Sequence, residues 1–502
     1  MQLTRSIFLS IAGFGFCSAT DLKTLLTNSA NNWSPNLTIS FPGSSAFTNA
    51  TDRWTVFDEP TFIASVTVGN EADVVKLVKL ATTNGIAFLA TGGRHGYTTT
   101  LGRMQNGLSI DLSQLDSYSI DKKAGTLTVG GGVVVESIVG PAYEAGFELQ
   151  TGSSSCPGLV GVTLGGGVGR YSGIYGLMVD NLQSVRLVTA TGQVLTVSAT
   201  SNPDLFWAIR GAGANFGIVT QATYKLNHII PGVNGGGGIV NLDMVFPANK
   251  SAAYFNVIES LAGGPGCSLP AKLGLISLAI YDSASGGPQL LANWVYMGTQ
   301  AEAEKVAAPV LALNPTSAVF SNLTYGNILT EGAFGVDAEL CAKGSILDIY
   351  TSTVRNISAS SMQAAFEEMG ALYAAYPDAQ SSIINFENFA NQDMLAKDDG
   401  STVYPWRDAT GNYIISMSWS EGADAATQAA ADTTAQNIRR LLSATSGYPG
   451  NGTVTLVSYA HGDEGVASIY GARNMPRLAA LKKKYDPSNV FRFNNALPTS
   501  WP

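Results

Sequence analysis

Hydrophobic positions in the first part of the chain change between the two-residue period of strands and the longer period of helices. Residues 64–68 alternate as in a strand, and Asn70 follows as a candidate N-cap with Asp73 three positions later. Apolar positions at 74–80 then have helical spacing, and 86–90 read as a short buried strand that leads into two glycines. The pattern predicts a β-α-β unit with a glycine loop at the carboxyl end of a strand, where α/β folds hold ligands.

The same patterns divide the rest of the chain into two regions. Up to residue 230 they predict strands at 108–112, 126–129, 184–189, 193–198 and 218–226, and helices at 133–145 and 205–210. Four consecutive glycines at 235–238 indicate a domain boundary. Beyond it, predicted strands at 239–245, 273–281 and 291–295 mix with helices at 301–313, 361–376 and 425–444. We interpret this second region as an antiparallel sheet with helices on one face, an α+β domain.

Two glycine-rich stretches, at 91–97 and 153–182, contain the candidate chemistry. Glycine costs about 1 kcal/mol inside a helix and packs against nothing in a strand, so such backbone is suited to close approach to a flat or anionic ligand. The first stretch contains His95 and the second contains Cys156. We expect both side chains to face one large ligand; the alternatives are that His95 caps a loop and that Cys156 is a small buried hydrophobic residue.

The glycine spacing excludes the two commonest phosphate-binding loops. A Rossmann loop needs G-x-G-x-x-G between a strand and a helix. The glycines at 211, 213 and 217 have another spacing and follow a helix, those at 165–169 also depart from it, and no Walker motif is present. A phosphate-bearing ligand is therefore expected in a different cradle.

Length, charge and the N-terminal segment narrow the class of protein. The chain has 502 residues, which predicts more than one domain, and a formal charge of −9, which argues against a nucleic-acid partner. Residues 1–19 resemble a signal peptide, with Arg5, an apolar run at 7–16 and a small-residue cleavage site; a buried N-terminal helix is the alternative. No other segment is typical of a membrane span. Sequons at Asn36, Asn49, Asn249, Asn322, Asn356 and Asn451 predict a secreted glycoprotein.

The cysteine count favours a disulfide. Cleavage of the signal peptide removes Cys17 and leaves Cys156, Cys267 and Cys341. An odd number in an oxidising compartment needs an explanation. We predict that Cys267 pairs with Cys341 and that Cys156 has another role.

An ordered set of motifs resembles FAD-linked oxidases of the vanillyl-alcohol oxidase type, specifically the berberine-bridge-enzyme-like branch, over nearly the whole mature chain. The set is T-G-G-R-H-G-Y at 91–97, C-P-G at 156–158, L-G-G-G-V-G at 164–169, D-N-L at 180–182, G-A-N-F-G-I-V at 213–219 and K-Y-D-P at 484–487. The resemblance implies an α+β fold: a two-subdomain PCMH-type FAD-binding domain at 20–230, with its core from about 58, and a substrate domain at 231–454 with a large antiparallel β-sheet covered by helices. A C-terminal segment, 455–502, would return to the FAD domain.

The resemblance also implies bicovalent FAD. His95 would be joined to the flavin 8α-methyl carbon and Cys156 to flavin C6. The other cofactor-binding residues implied are Gly92, Gly93, Arg94, Gly96, Gly161, Thr163, Gly166, Gly167, Ile218, Val219 and Asn494. The backbone N–H groups of the first four would surround the pyrophosphate.

For catalysis, the resemblance points to Tyr459, and Glu387 and Tyr97 are further catalytic candidates. A base must take a proton while hydride leaves the substrate carbon. Because the free pKa of tyrosine is about 10, Tyr459 needs a neighbour that lowers it; a core or rim tyrosine is the alternative. Asn385 and Glu387 are predicted to share one strand face. Trp406 replaces the family's usual histidine, and no acid occurs at 414–416, where plant members keep a catalytic Glu or Gln.

We therefore expect a secreted FAD-dependent oxidase that acts on a small secondary metabolite and passes electrons to oxygen, as a monomer without metal, membrane or nucleic-acid partners. Two alternatives remain open at this stage: an oligosaccharide oxidase acting at the anomeric carbon, and a flavin-binding protein without catalysis. The scarcity of tryptophan in the second region weighs against a sugar platform.

Overall fold

The computed structural model describes residues 19–230, 238–448, 450 and 452–502. The predicted signal peptide (except Ala19), most of the glycine run at the predicted domain boundary and the sequon at Asn451 lie outside the described residues. Within the described part, none of the helices combines the length and the hydropathy that crossing a bilayer needs.

The first sheet contains the β-α-β unit that the sequence predicts. Its strands are β1 (Thr38–Ser40), β2 (Phe62–Thr67), β3 (Phe88–Thr91) and β4 (Gly107–Asp111), in the order β1-β2-β4-β3. The helix α3 (Glu71–Thr83) joins β2 to β3, and Asn70 caps it by accepting a hydrogen bond from the Asp73 N–H. Because β4 is parallel to both β2 and β3 and lies between them, the unit crosses over one strand.

The second sheet is antiparallel and follows directly. It contains β5 (Tyr118–Asp121), β6 (Thr126–Gly130), β8 (Leu182–Val188), β9 (Val194–Ser198) and β10 (Ile218–Lys225), in the order β5-β6-β10-β8-β9. A separate pair joins β7 (Phe147–Glu148) to β11 (Asn227–His228). The strands predicted at 184–189 and 193–198 are confirmed as β8 and β9, which pair as an antiparallel hairpin.

Short helices accompany these two sheets. They are α1 (Ala19–Thr27), α2 (Ser45–Thr51), α4 (Glu136–Glu144), α5 (Leu159–Leu164), α6 (Ser172–Tyr175), α7 (Met178–Asn181) and α8 (Pro203–Ala212). The glycine-rich stretch at 153–182 therefore consists of three short helices separated by glycine turns. No single long element could form there, because Gly166 and Gly167 adopt positive φ angles of 120° and 74°.

The third sheet has seven antiparallel strands, which confirms the predicted α+β architecture. Its strands are β12 (Ile239–Pro247), β13 (Leu273–Asp282), β14 (Gly287–Met297), β15 (Ser317–Leu323), β16 (Asp348–Val354), β17 (Ile383–Phe389) and β18 (Gly411–Met417), in the order β15-β12-β14-β13-β17-β18-β16. The remaining helices are α9 (Ser251–Ala262), α10 (Gln300–Leu311), α11 (Ile328–Glu331), α12 (Asp337–Leu340), α13 (Ala359–Ala375), α14 (Gln392–Ala396), α15 (Ala425–Ala444), α16 (Val466–Tyr470) and α17 (Met475–Tyr485).

The two faces of the seven-stranded sheet differ in chemistry. Residues such as Leu242, Trp294, Phe386 and Ile415 form one hydrophobic core with residues of α9, α13 and α15. The opposite face presents polar side chains that are nevertheless mostly buried: Asn241, Asp243, Asn293, Asn385, Glu387, Asn412, Thr351 and Thr353. We call this set the polar face. Buried polar groups are costly without partners, so the polar face marks the functional side of the sheet.

The C-terminal segment contacts the loop between β3 and β4 of the first sheet. Asn495 donates its N–H to Thr100 Oγ1 at 3.0 Å, and Tyr470 donates to the Asn495 carbonyl at 2.9 Å. Thr98 and Thr99 donate to the His461 carbonyl at 3.1 and 2.9 Å. These contacts fix the chain around Tyr459 against the loop that contains His95.

Candidate active site

The two glycine-rich stretches contact each other directly. The loop after β3 passes so close to the second stretch that a Cβ at Gly93 would clash with the backbone N of Gly158. Arg94 adopts a positive φ of 57° and its guanidinium binds Asp111 at 2.9 Å. The salt bridge and the close approach together hold the loop in the shape that presents His95.

His95 lies between an aromatic ring and a sulfur. Its ring stacks on Trp54 with centroids 4.2 Å apart, and its Nε2 is 3.3 Å from Cys156 Sγ. Burial, with the positive charge of Arg53, lowers the pKa of His95 to about 4. The imidazole is therefore neutral at neutral pH and keeps the nitrogen lone pair that a bond to carbon requires.

The same loop offers backbone donors. The N–H groups of Gly93, Arg94, His95 and Gly96 donate to no protein oxygen within the described part of the chain. Consecutive free N–H groups in a tight loop form an anion-binding concavity. The residues present therefore fit a diphosphate-bearing cofactor such as FAD, with the His95 ring beside it.

On the other side of the site, Glu387 and Tyr459 form a hydrogen-bonded pair. Tyr459 donates to Glu387 Oε2 at 3.0 Å, and Asn385 Nδ2 lies 3.5 Å from Oε1. Glu387 is 4% exposed, and burial raises its pKa to about 7 despite the Tyr459 hydrogen bond and the charge of Arg170. A buried carboxyl that titrates near neutrality is suited to general base chemistry.

The Tyr459 segment also packs against the second glycine-rich stretch. A Cβ at Gly165 would clash with Ser458, the neighbour of Tyr459. Burial, and then the negative charge of Glu387, raise the pKa of Tyr97, two residues after His95. Glu387, Tyr459, Tyr97 and the His95 loop therefore line one region between the first sheet and the polar face.

Comparisons with known proteins agree with this geometry. The pattern of the family described as "FAD binding domain" matches residues 63–198, and that of "Berberine and berberine like" matches 457–498. The chain is 46% identical to the FAD-linked oxidoreductase OXR1 of Pyricularia oryzae, over 93% of this chain and 90% of that protein. It is 42% identical to the FAD-linked oxidoreductase fogF of Aspergillus ruber, over 97% of this chain and 96% of that protein.

The chain belongs to the berberine-bridge-enzyme-like family of FAD-linked oxidoreductases. Its fold is shared with BBE-like 1 of Physcomitrella patens, at a TM-score of 0.79 and 23% identity over 93% of this chain and 98% of that one. It is also shared with the glucooligosaccharide oxidase of Acremonium strictum, which carries a 6-S-cysteinyl, 8α-N1-histidyl FAD, at a TM-score of 0.78 and 20% identity over 94% of this chain and 100% of that one. The predicted family, the predicted fold class and the prediction of an FAD-dependent oxidoreductase are thus confirmed.

The predicted disulfide is wrong. Cys341 pairs with Cys156, with Cα atoms 5.9 Å apart, and Cys267 is exposed with a free thiol. The reason is that α12, just before Cys341, packs against the glycine-rich stretch: Ser155 donates its N–H to Asp337 Oδ1 at 3.0 Å. Since the bonded cysteines are 185 residues apart, their spacing gave no sign of this contact.

The disulfide also affects the predicted attachment of Cys156 to flavin C6. A sulfur that forms a disulfide cannot form a thioether at the same time. In the structure Cys156 therefore has no thiol available for the flavin, although its sulfur lies beside His95 as a second attachment requires.

Tyr459 does not meet the condition that the base role requires. Its pKa is raised well above 10 by burial and by the neighbouring charge of Glu387, rather than lowered. The geometry makes Tyr459 the donor and Glu387 the acceptor, so Glu387 is the better base candidate. Tyr97, with a raised pKa as well, is also a neutral phenol.

Several residues that were predicted to bind the cofactor make contacts within the protein itself. The Thr163 hydroxyl donates to the Leu159 carbonyl at 2.8 Å and lies 2.9 Å from Tyr224 OH. A Cβ at Gly166 would meet the Tyr404 ring, and one at Gly167 would meet Met178. These glycines are therefore required by packing of the second stretch on the protein itself.

The other predicted cofactor-binding residues differ in how exposed they are. Gly161 is exposed on α5 with open space in front of it, Gly92 is half-buried, and Gly96 is exposed in the His95 loop. Ile218 and Val219 begin β10 and are buried. Asn494 is half-buried in the returning C-terminal segment and accepts a hydrogen bond from Asn495. Their roles toward FAD stay predictions.

Sequence reasoning missed two residues of this region. Trp54 stacks on His95 from a segment in which the sequence analysis identified no candidate site residue. Arg170 lies near Glu387 and belongs to none of the motifs that the sequence analysis used. It is nevertheless the one charged residue between 153 and 179. A lone charge in an otherwise uncharged glycine-rich stretch was the sign that could have identified it.

Proposed function

We propose that this protein is a secreted oxidase that removes hydride from an alcohol or ring carbon of a small secondary metabolite. When bound, FAD supplies the hydride acceptor and the reaction with oxygen that yields hydrogen peroxide. The observation that supports the proposal best is the buried Glu387 carboxyl, whose pKa of about 7 suits a base at neutral pH. Glu387 takes the substrate proton, and Tyr459 holds the carboxylate through its hydroxyl.

The tryptophans of the second region support a metabolite rather than an oligosaccharide. Trp294 is 2% exposed and donates to Tyr254 OH on the helix-covered side of the sheet. Trp406 donates to the Thr455 carbonyl, and Trp419 packs edge-on against Phe57. All three indoles make contacts within the protein, and none of the three forms an exposed platform for a sugar ring.

Peroxide release tests the oxidase proposal. We expect the FAD-loaded protein to release hydrogen peroxide with at least one member of a panel of aromatic and allylic alcohols, and to be reduced by it under anaerobic conditions. Oligosaccharides, offered at the same concentration, serve as the comparison. Reduction by sugars alone would favour the oligosaccharide oxidase, and no reduction by any compound would favour a flavin-binding protein without catalysis.

We further propose that FAD is attached through His95, and through Cys156 in chains whose Cys156–Cys341 disulfide is open. The neutral imidazole and the 3.3 Å distance between Nε2 and Sγ support attachment of both residues at one edge of the flavin. The glucooligosaccharide oxidase from Acremonium strictum, which shares this fold and carries both bonds, supports the same chemistry. The disulfide and the second flavin bond exclude each other because they use the same sulfur.

Peptide mapping without reductant separates these states. We expect flavin on the peptide that contains His95, a fraction of chains with Cys156 also on the flavin, and the Cys156–Cys341 pair in the rest. Cys341→Ala should increase the doubly attached fraction, because it frees Cys156, whereas Cys267→Ala should leave it unchanged. FAD in the supernatant of acid-precipitated wild-type protein would contradict both attachments.

Secretion and glycosylation remain part of the proposal. The sequon residues Asn36, Asn49, Asn249 and Asn322 are exposed, as oligosaccharide transfer requires. The Cys156–Cys341 disulfide is typical of an oxidising compartment. Expression with the native N-terminus should place the protein in the medium, with a mass that falls on enzymatic removal of N-linked glycans.

A further inference from the structure

Arg170 is a buried cation that lacks hydrogen-bond partners. It directly follows the glycine run of the second stretch and is 4% exposed. Its Nε and Nη1 groups donate to no atom within the described part of the protein. Burial of an unpaired guanidinium is costly, so such a group is retained in a site where a ligand supplies the acceptor.

The stem of Arg170 lies on the polar face at a position that glycine makes possible. Gly274 on β13 lacks a side chain there, and a Cβ at that position would be 3.1 Å from Arg170 Cα and Cβ. In the sheet register, Gly274 pairs with Phe389 on β17 and with Val295 on β14. The guanidinium is thus held above the middle of the sheet, between the strands that present Glu387 and Asp243.

Neither nearby carboxylate satisfies the guanidinium. Burial lowers the pKa of Arg170 to about 10 although the charges of both carboxylates oppose this shift, and no hydrogen bond joins either of them to it. The oxygens of Asp243 accept from Asn241 and Asn293 at 2.8 and 2.7 Å. Those of Glu387 accept from Tyr459 and Asn385. The two carboxylates thus have partners of their own, whereas the Nε and Nη1 donors of Arg170 and the Oδ1 acceptors of Asn293 and Asn385 have none.

A cavity with room for about one water molecule lies beside this residue. Val168 and Ser172, two positions on either side of Arg170, line a small cavity together with Phe389 and Asn412 of the sheet. The cavity is bordered by the strand of Glu387 and by that of Asn412, which pair directly. A single ligand oxygen placed there reaches the polar face and the second glycine-rich stretch at once.

We propose that Arg170 binds an anionic oxygen of the substrate, a carboxylate or a phenolate, and so holds the substrate against Glu387. The proposal rests on the proposed function, because it assigns the substrate class of that same site. Guanidinium groups bind such oxygens through charge-assisted hydrogen bonds, which are stronger than neutral ones.

Ligand binding to the FAD-loaded protein tests this assignment without turnover. Benzoate and 4-nitrophenolate are the anionic probes, benzamide and nitrobenzene are their neutral counterparts, and the flavin absorbance reports binding. We expect at least one anion to bind about 10- to 100-fold more tightly than its counterpart. The carboxylate and phenolate pairs, measured separately, decide which oxygen the site prefers.

Variants connect that preference to Arg170. Arg170→Gln should remove it, and Arg170→Lys should keep part of it because the charge remains. Arg210→Gln is the matched control, since Arg210 is a partly buried arginine that donates to the Phe206 and Ser401 carbonyls instead. Each variant must retain FAD and the wild-type unfolding temperature. If Arg170→Gln fails to fold, Arg170→Lys and Arg170→Met replace it, and a preference that survives in Arg170→Met overturns the proposal.

Other outcomes of the binding experiment also test the proposal. Equal binding of anions and neutral compounds by the wild type, or no binding of any probe, overturns the proposal. A shifted flavin spectrum in Arg170→Gln with unchanged anion binding assigns Arg170 to the flavin and overturns it as well. Anion binding through Arg170 in a protein that releases no peroxide supports this inference and contradicts the oxidase, whereas peroxide release without anion preference does the reverse.

Discussion

Replacement of Glu387 by glutamine is expected to lower the rate of flavin reduction by substrate by about 10²- to 10⁴-fold while FAD stays bound. Glutamine has the same shape and its carbonyl still accepts the Tyr459 hydroxyl, so the hydrogen bond observed at 3.0 Å can persist. What is lost is the carboxylate that takes the substrate proton. Anaerobic stopped-flow measurement of flavin reduction with a substrate from the alcohol panel gives the rate.

The pH profile should change with the same substitution. Burial raises the pKa of Glu387 to about 7, against the hydrogen bond from Tyr459 and the charge of Arg170. A base must be unprotonated, so the wild-type rate should rise as the pH increases through about 7 and then level off. Tyr97 and Tyr459 stay protonated across this range because their pKa values are well above 10. Glu387→Gln should abolish the rise.

A second buried Glu–Tyr pair offers a matched control. Glu148 on β7 is 2% exposed, accepts from the Tyr175 hydroxyl and has a pKa raised by burial, but it lies outside the site. Glu148→Gln should leave the reduction rate and its pH profile unchanged. A wild-type rate in Glu387→Gln, or equal losses in both variants, would remove Glu387 from the base role.

Replacement of Arg407 by alanine is expected to lower the free energy of unfolding by about 3–5 kcal/mol. Arg407 and Asp180 are 3% and 5% exposed and share two hydrogen bonds, at 2.7 and 3.0 Å. The pair joins the D-N-L motif of the FAD-binding region to the chain turn after Tyr404, whose ring packs on Gly166. Loss of the guanidinium leaves the Asp180 carboxylate buried without its main partner.

Urea unfolding of the FAD-loaded protein measures this effect, with an exposed ion pair as reference. Arg473 and Asp399 are 55% and 53% exposed, so Arg473→Ala should cost at most about 1 kcal/mol. Asp180→Asn combined with Arg407→Met should recover part of the loss, since no unpaired charge remains buried. A loss in Arg407→Ala no larger than that in Arg473→Ala would show that the buried pair contributes little.

The sequence by itself determined those features that depend on local spacing. The Asn70 cap and the apolar periodicity predicted the β-α-β unit, because helix and strand periods depend only on residues that are close together in the sequence. The two-residue period placed Asn385 and Glu387 on one face of β17, where they are in contact. Gly92 and Gly93 marked a place where only bare backbone fits, and the ordered motifs identified the family.

The tertiary structure alone decided which distant groups meet and what charge they carry. Cys341 reaches Cys156 because α12 packs on the glycine-rich stretch, a contact across 185 residues that no spacing encodes. The strand pattern in the sequence did not reveal that the polar face is buried, because burial depends on which other elements cover the sheet. For the same reason, proximity and desolvation raised the pKa values of Glu387 and Tyr459, which moved the base role from the tyrosine to the carboxylate.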